Sequence, residues 1–151
     1  MIAAAWTWIF QCNPKEWDLR GCLAEQPGLF WKVSSYKKDI KVGDTVYMWE
    51  SGPKAALVAR CSVTSTPRLQ PADLKYAPYL RDPKYREDMW RARLRVERAF
   101  ASPIPRDELL GHALLANQLP IGGLASARQG TNFSVPPATA ELLDRLTRDR
   151  Q

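Results

Sequence analysis

The residue types able to do catalytic chemistry are few in this sequence, and they are badly spaced for it. The single histidine, His112, lies between Gly111 and Ala113, and nothing near it in sequence completes a Ser–His or Cys–His pair. The glycines do not have the spacing of a phosphate-binding loop, and there is no cluster of metal-ligating residue types. The sequence therefore favours a binding protein without cofactor or metal over an enzyme.

The three cysteines, Cys12, Cys22 and Cys61, are odd in number and form no CxxC pair. This pattern is neither a disulfide framework nor a zinc site, and it is typical of a reducing cytoplasm. The opening MIAAAWTWIF lacks the basic start and the small-residue cleavage site of a signal peptide. No apolar run approaches the roughly 18 residues of a membrane span. We therefore expect a cytoplasmic protein that has no membrane partner.

Aromatic side chains are more informative, because six tryptophans are many for 151 residues. Trp6, Trp17 and Trp90 are expected in the core. Trp31 and Trp49 differ, since each begins or ends a short strand beside polar residues. Aromatic rings in such places can sandwich a flat base, and stacking is worth roughly 1–3 kcal/mol per base. Both interpretations, pocket wall and core, remain open for these two.

The segment RQGTNF (Arg128–Phe133) combines a cation, two amides, a hydroxyl and a glycine in six residues. The amides of Gln129 and Asn132 have the paired donors and acceptors that read a base edge. Gly130 allows the backbone to approach a ligand closely. The alternative is a turn in which Thr131 and Asn132 satisfy backbone groups.

The charge of the chain points to a polyanionic partner. The net charge is +6 and the pI is about 9.4, which favours nucleic acid first and an anionic membrane second, although a merely well-solvated surface is also consistent. Met89–Phe100 alternates between apolar and charged residues, as expected of a half-buried strand, and Arg91, Arg93 and Arg95 share its outer face. These arginines and Lys54 are predicted to contact phosphates.

The elements that must position these residues are mixed, without β-α-β repeats. Strands are predicted at Trp6–Cys12, Phe30–Val33, Val42–Trp49, Ala55–Thr64 and Met89–Phe100, and Ser126–Val135 is predicted to be a loop that runs into a last strand. Helices are predicted at Lys15–Glu25, Arg106–Ala116 and Pro136–Gln151. A turn at Ser51–Lys54 makes a hairpin, and Thr66–Lys84 is predicted to be a long loop. We expect one domain over residues 1–151 with an α+β fold, in which helices surround a twisted, mostly antiparallel sheet or open barrel.

Four stretches of the chain, in order, resemble the EVE domain, a PUA-like family related to the YTH domain. They are WIFQCNPKEWDL, FWKVSSYKKDIKVGDTVYMWESG with its small-residue return strand, FASPIPRDEL, and RQGTNFSV. The resemblance covers nearly the whole chain. It implies a barrel-like fold that binds nucleic acid carrying a modified base, with the base extruded into an aromatic-lined pocket.

The resemblance also implies roles for individual residues. Trp31 and Trp49 are the expected cage walls, Asn13 a polar contact at the mouth, Glu50–Gly52 the rim and Gln129–Phe133 the floor, while Tyr47 packs inward. The predicted base pocket comprises Asn13, Trp31, Val33, Trp49, Glu50, Ser51, Gly52, Gln129, Gly130, Thr131, Asn132 and Phe133. The predicted phosphate contacts are Lys54, Arg91, Arg93, Arg95 and Arg128. Arg60 and Cys61 depart from the family pattern, which expects smaller residues there.

These observations predict a non-catalytic reader of a modified cytosine or adenine in DNA or RNA, working with a separate effector enzyme. The main alternative is a small-molecule or protein-interaction module that uses the same pocket. A nuclease or glycosylase is a third reading. Salt dependence separates the first two, because a nucleic-acid reader must neutralise phosphates.

Overall fold

The computed structural model describes residues 5–118, 131–148 and 150 of the chain. The strands are β1 (Thr7–Cys12), β2 (Gly28–Lys32), β3 (Thr45–Glu50), β4 (Ala56–Gln70), β5 (Met89–Pro105) and β6 (Asn132–Val135). The helices are α1 (Leu19–Glu25), α2 (Arg106–Leu110), α3 (Ala113–Gln118) and α4 (Pro137–Thr147). Two 3₁₀ helices, Leu74–Tyr79 and Pro83–Arg86, lie between β4 and β5.

The strands form one sheet in the order β2-β5-β4-β3-β1-β6. All neighbours are antiparallel except β1 and β3, which run parallel from Thr7 beside Thr45 to Cys12 beside Glu50. The parallel pair brings the carboxyl ends of β1 and β3 to the same edge, where the Ser51 amide donates to the Cys12 carbonyl at 2.9 Å. The predicted α+β fold is confirmed. The sheet is twisted but not closed, and β2 and β6 are its two edge strands.

Each face of the sheet has its own hydrophobic core. On β3, Val46 and Met48 belong to one cluster, and Tyr47 and Trp49 belong to the other. The first cluster, the α1-side core, includes residues of α1 and the first 3₁₀ helix; the second, the α4-side core, includes residues of α2, α3 and α4. Because both faces are covered, every residue from Val46 to Glu50 is buried. This explains why an aromatic-rich strand needs no solvent-facing side.

The predicted hairpin of β3 and β4 is confirmed, and β4 is a central strand of the sheet. Met48 lies beside Ala59 and Trp49 beside Leu57, so Val58 is an extra residue in β4. As a result Val58 and Ala59 both face the α1-side core. Such a bulge bends the strand and increases its twist.

Several predicted elements differ in extent from those in the structure; β5, for example, continues past Phe100 to Pro105, and α1 begins at Leu19 rather than Lys15. The first part of the predicted loop at Thr66–Lys84 is strand, because β4 continues to Gln70 and pairs with the start of β5. Pro67, which argues against a strand in the sequence, falls at a shift of register between Ser65 and Arg68, where proline is tolerated. The predicted helix at Arg106–Ala116 is two short helices, α2 and α3, on either side of Gly111.

Candidate nucleic-acid interface

Asn132 joins the two edge strands of the open sheet. It is the first residue of β6, and its side chain is 3% exposed. Its Oδ1 accepts from the amides of Ser34 at 2.8 Å and Ser35 at 3.2 Å, and its Nδ2 donates to the Lys32 carbonyl at 3.2 Å. Lys32 ends β2, the opposite edge. A single amide side chain therefore hydrogen-bonds one edge of the sheet to the other, a connection that backbone hydrogen bonds make in a closed barrel.

Several residues of the predicted pocket gather around this junction. Val33 lies between the residues that Asn132 binds, but its side chain is 1% exposed and packs in the α1-side core, so the prediction that it lines the pocket is wrong. The Thr131 carbonyl accepts from the Gln11 amide at 2.7 Å. Gln11 belongs to the end of β1, which Asn13 follows directly. The structure thus brings Val33, Thr131, Asn132 and Asn13 to neighbouring parts of one end of the sheet.

The turn after β3 packs against the end of β1. Gly52 has φ of +100°, and a Cβ at this position would lie 3.3 Å from Pro14 Cγ. Ser51 Oγ donates to the Cys12 carbonyl at 3.2 Å. The Asn13 side chain accepts from the Lys15 amide at 3.0 Å, which fixes the turn into α1. Asn13, Ser51 and Gly52 are therefore adjacent, as a common rim requires.

The side chain of Asn132 has a different task from the predicted one. Its oxygen and its nitrogen are both engaged by the backbone of residues 32–35. The structure instead matches the alternative in which Asn132 satisfies backbone groups. Those groups lie about a hundred residues away in sequence rather than in the same turn. Asn132 shapes the junction and presents Ser34 and Ser35, which are exposed. The prediction that this amide reads a base edge directly is therefore wrong.

Trp31 and Trp49 do not face each other. Trp49 is 2% exposed and lies in the α4-side core, whereas Trp31 lies in the α1-side core with its ring edge-on to Trp17 at 5.0 Å. The prediction that these two rings are opposing walls of one cage is therefore wrong. The reason is that β3 is central and covered on both faces. The Trp31 Nε1 donor is buried and has no hydrogen-bond partner within the described part of the chain.

Two other predicted pocket residues are engaged elsewhere. Glu50 is buried and pairs with Arg20 Nε at 3.0 Å, so it anchors α1 to the sheet rather than forming a free rim. Phe133 packs against the α4-side core. Predictions for Arg128, Gln129 and Gly130 lie outside the described residues.

The predicted phosphate contacts divide into two groups. Arg91 is 3% exposed, and its guanidinium donates to the carbonyls of Gln70, Tyr85 and Glu87 at 2.6–3.1 Å. Burial lowers its pKa. It braces the β4–β5 connection and cannot reach a phosphate, so this prediction is wrong. By contrast, Arg93, Arg95 and Lys54 are exposed.

Arg93 already has two partners. Its guanidinium lies 3.2 Å from Asp73 Oδ2 and 4.2 Å from the centre of the Phe30 ring. An exposed ion pair of this kind contributes little to stability. The cation can therefore exchange Asp73 for a phosphate at small cost, and its role as a phosphate contact stays a prediction.

An aromatic group around the start of β1 was not predicted from the sequence. Trp6, expected in the core, is 57% exposed, and Trp90 is also partly exposed. Trp6 lies beside Trp8 and Tyr36 along one groove. The spacing of Trp6 and Trp8, two residues apart on one strand, was the available signal, because such residues share a face.

A family model of the EVE domain matches residues 7–148. This chain belongs to the EVE domain family. No curated protein matches the sequence. A solved Pseudomonas syringae protein shares 15% identity at a TM-score of 0.68, covering 93% of this chain and 98% of its own.

Two further similar structures contain nucleic acid. Human THYN1 in complex with 5-methylcytosine containing DNA has a TM-score of 0.64 at 11% identity, covering 97% of this chain and 100% of its own. The YTH domain of Zygosaccharomyces rouxii MRB1 in complex with N6-methyladenosine RNA has a TM-score of 0.58 at 11% identity, covering 99% and 94%. These similarities show that the EVE domain described here shares its fold with these structures.

Arg60, which departs from the family pattern, belongs to a polar network on the α4 side of this EVE domain. Its Nη1 donates to the Tyr47 hydroxyl at 2.7 Å and contacts the Asp144 carboxylate of α4, to which Tyr47 also donates. Burial, followed by the hydrogen bond to Asp144, raises the pKa of Tyr47 from 10.0 to about 12. The network attaches α4 to the sheet and lies away from the Asn132 junction.

The three cysteine thiols of the EVE domain lie in its interior. Cys12, Cys22 and Cys61 are all buried, and burial raises the pKa of each thiol, so the nucleophilic thiolate is disfavoured. Across residues 5–118 and 131–148, no group of three or more His, Cys, Asp or Glu side chains is placed to hold a metal ion. In the same ranges no helix is long and apolar enough to cross a membrane.

Proposed function

We propose that this EVE domain is a non-catalytic module that binds nucleic acid by a modified base, a modified cytosine or adenine taken out of the strand. One observation carries the proposal. The fold matches, over nearly the full length of both chains, two proteins solved with a methylated base in DNA or in RNA. Chemistry on the nucleic acid would come from a separate effector enzyme.

The Asn132 junction is the proposed position of the base. Ser34 and Ser35 follow edge strand β2 and are exposed, yet their amides are held by Asn132. Because this backbone is held in place, the remaining polar groups of Ser34 and Ser35 can bind a ligand without a further entropy cost of ordering. Thr131, Asn13 and the Ser51–Gly52 turn complete the set that we assign to the base, whereas the Val33 side chain is buried in the α1-side core.

The charge around the junction suits a polyanion. Residues 32–41 carry four lysines and one aspartate, and all of these charged residues except Lys32 are exposed. Such a patch attracts a phosphate backbone, and each neutralised phosphate makes binding more sensitive to salt. Phosphate contacts of this kind position a strand without reading it.

The energetics favour a single-stranded or weakly paired substrate. Extruding a base from a duplex costs a few kcal/mol, and least where the base is mismatched, damaged or already unpaired. Stacking on the base and hydrogen bonds to its edge must offset that cost. We therefore expect single-stranded oligonucleotides to bind at least as tightly as duplexes of the same sequence.

The test is a panel of DNA and RNA oligonucleotides, each carrying one modified cytosine or adenine, measured against the unmodified strand over a series of salt concentrations. We expect at least one modification to be preferred, with affinity for every strand falling as salt rises. Absence of any preference would overturn the proposal. A free modified nucleoside that binds as tightly as the oligonucleotide would support a small-molecule site instead.

A pair of variants localises the base. Thr131→Ala removes a side chain at the junction but keeps the carbonyl that accepts from Gln11. Thr66→Ala removes a similar exposed side chain from β4, away from the junction. We expect the first to reduce the preference for the modified base and the second to leave it unchanged. Equal effects from both variants would place the base elsewhere.

A further inference from the structure

A groove of about 820 Å³ lies at the amino-terminal end of β1 and is separate from the residues assigned to the base. Its walls carry three aromatic rings, those of Trp6, Trp8 and Tyr36. Lys38 and Lys41 also line it, and Ser134 of β6 lies on its border. The rings of Trp6 and Tyr36 are exposed, whereas Trp8 is buried behind them. Large exposed aromatic rings beside lysines are the features of a surface that stacks bases.

The exposed ring of Trp6 stands on a fixed backbone. The Trp6 amide donates to Asp44 Oδ1 at 3.1 Å, and its carbonyl accepts from the Thr45 amide at 2.9 Å. Asp44 is buried and also accepts from Trp8 Nε1 at 2.9 Å and from the Lys41 amide at 2.9 Å. The indole is therefore presented to solvent from a rigid base, which lowers the entropy cost of stacking on it.

Tyr36 is held by an uncommon backbone conformation. Its φ is +62°, which residues other than glycine rarely adopt, and its carbonyl accepts from the amides of Asp39 and Ile40 at 3.0 and 3.2 Å. The ring is 41% exposed, and its centre lies 4.9 Å from that of Trp8 at an angle of 50°. The surrounding turn thus keeps a large ring in place beside the groove.

The groove charge is compatible with a phosphate backbone. Lys38 and Lys41 line it, and Lys37 lies next to them in sequence and is exposed. Of the two acidic residues that line the groove, Asp44 is buried, and its two carboxylate oxygens accept the three hydrogen bonds described above. Asp39 is exposed. The solvent-facing charge around the groove is therefore positive.

The groove lies next to the Asn132 junction along β6. In the pairing of β1 with β6, Asn132 lies beside Phe10 and Ser134 lies beside Trp8. Two residues along a strand span roughly 7 Å. On the other side, Tyr36 follows Ser35, whose amide Asn132 binds. A strand whose base occupies the junction can therefore place its neighbouring base in the groove.

We infer that this groove binds the base adjacent to the modified one, by stacking on Trp6 and Tyr36, and so selects single-stranded nucleic acid. The inference rests on the proposed function in taking nucleic acid as the ligand. Stacking uses the flat face that every base has, so the groove tolerates any base in this position. The junction then provides selectivity for the modification, and the groove provides affinity for the strand.

The experiment compares the full chain with two variants, Trp6→Ala and Tyr36→Gly. Trp6→Ala removes an exposed ring without opening the core, and Tyr36→Gly removes a ring while allowing the left-handed backbone. Leu74→Ala is the control, because it removes an exposed apolar side chain that does not line the groove. Thermal unfolding establishes that each variant is folded. Binding is measured for modified and unmodified single strands with zero to three extra nucleotides on either side, and for the free modified nucleoside.

For the wild type we expect affinity to rise when a nucleotide is added on one side of the modified base. Each aromatic variant should abolish that gain and bind modified and unmodified strands about 5-fold to 100-fold more weakly. The ratio of modified to unmodified affinity should stay the same, as should affinity for the free nucleoside. Leu74→Ala should match the wild type.

Other outcomes overturn the inference. If both aromatic variants keep wild-type affinity for every strand, the groove does not bind nucleic acid, and a retained preference for the modified strand would leave the proposed function intact. If the variants lose affinity for the free nucleoside, the groove holds the modified base itself. If the wild type binds single strands without preference and the variants bind more weakly, the groove is supported while the proposed function fails.

Discussion

Asn132 on one edge strand of the sheet holds the amide of Ser34, just beyond the other edge strand, in a 2.8 Å hydrogen bond. The two residues are 98 positions apart in the chain. The bond is buried on the Asn132 side and exposed on the Ser34 side. It links the two edges of the open sheet at the place where we assign the base.

Asn132→Ala should lower the free energy of unfolding by about 1–3 kcal/mol, because two backbone amides and one carbonyl lose their partner. Urea unfolding measures this change. Hydrogen exchange at the amides of Ser34 and Ser35 should accelerate more than exchange in β3. Selectivity for the modified oligonucleotide should fall, while the salt-sensitive background remains. A fully selective Asn132→Ala protein would show that the junction is structural only.

Gly52→Ala and Gly43→Ala form a matched pair. Both glycines have positive φ, +100° and +94°, so alanine should cost about 1 kcal/mol or more at each position. A Cβ at Gly52 would lie 3.3 Å from Pro14 Cγ, whereas a Cβ at Gly43 would have nothing within 4 Å. We expect Gly52→Ala to be the more destabilising in urea unfolding. Because Gly43 lines the groove at Trp6, only Gly52→Ala should lower the ratio of modified to unmodified affinity. An equal loss of that ratio in Gly43→Ala would contradict the assignment.

Arg93→Ala and Arg91→Ala separate a phosphate contact from a structural brace. Arg93→Ala should weaken modified and unmodified strands alike and reduce the slope of log affinity against log salt by about one. Arg91→Ala should instead lower stability, since three carbonyls that accept from the guanidinium lose their donor. Binding titrations at several salt concentrations, together with urea unfolding, distinguish the two. A change of selectivity in folded Arg93→Ala would show that it reads the base.

Trp49 should act through stability rather than through base recognition. Trp49→Ala should cost about 3–5 kcal/mol, because the ring is fully buried. Trp49→Phe keeps an aromatic ring in the α4-side core and should fold. We expect the folded Trp49→Phe protein to retain the wild-type ratio of modified to unmodified affinity. If that ratio is lost in a variant with a normal unfolding curve, Trp49 does contribute to the base pocket.

Tyr47 should make the protein sensitive to alkali. Its pKa is raised from 10.0 to about 12 in the folded state, so folding favours the protonated phenol. The resulting stability is complete below pH 10 and is lost as the pH rises through about 12. Tyr47→Phe should be less stable at neutral pH. Between pH 10 and about pH 12 its free energy of unfolding should fall less steeply, by up to about 1.4 kcal/mol per pH unit. Parallel slopes for wild type and variant would refute this.

The local patterns of the sequence were sufficient for the family, the fold class and most strands. The strands predicted at Val42–Trp49 and, from alternation, at Met89–Phe100 both exist, because the period of two is a property of the strand itself. The turn at Ser51–Lys54 likewise predicted the hairpin of β3 and β4. Cysteine spacing and the lone histidine pointed away from catalysis for reasons that need no tertiary structure.

The assignment of side chains to a site depended on contacts that no local pattern contains. Trp49 is core because helices cover the α4 side of β3, and Arg91 is a brace because the β4–β5 connection folds back over it. Asn132 finds its partners about a hundred residues away, through the curvature of the sheet. Alternation specifies that a side chain leaves the strand to one face. Only the packing of distant segments decides whether that face meets solvent, a helix or a ligand.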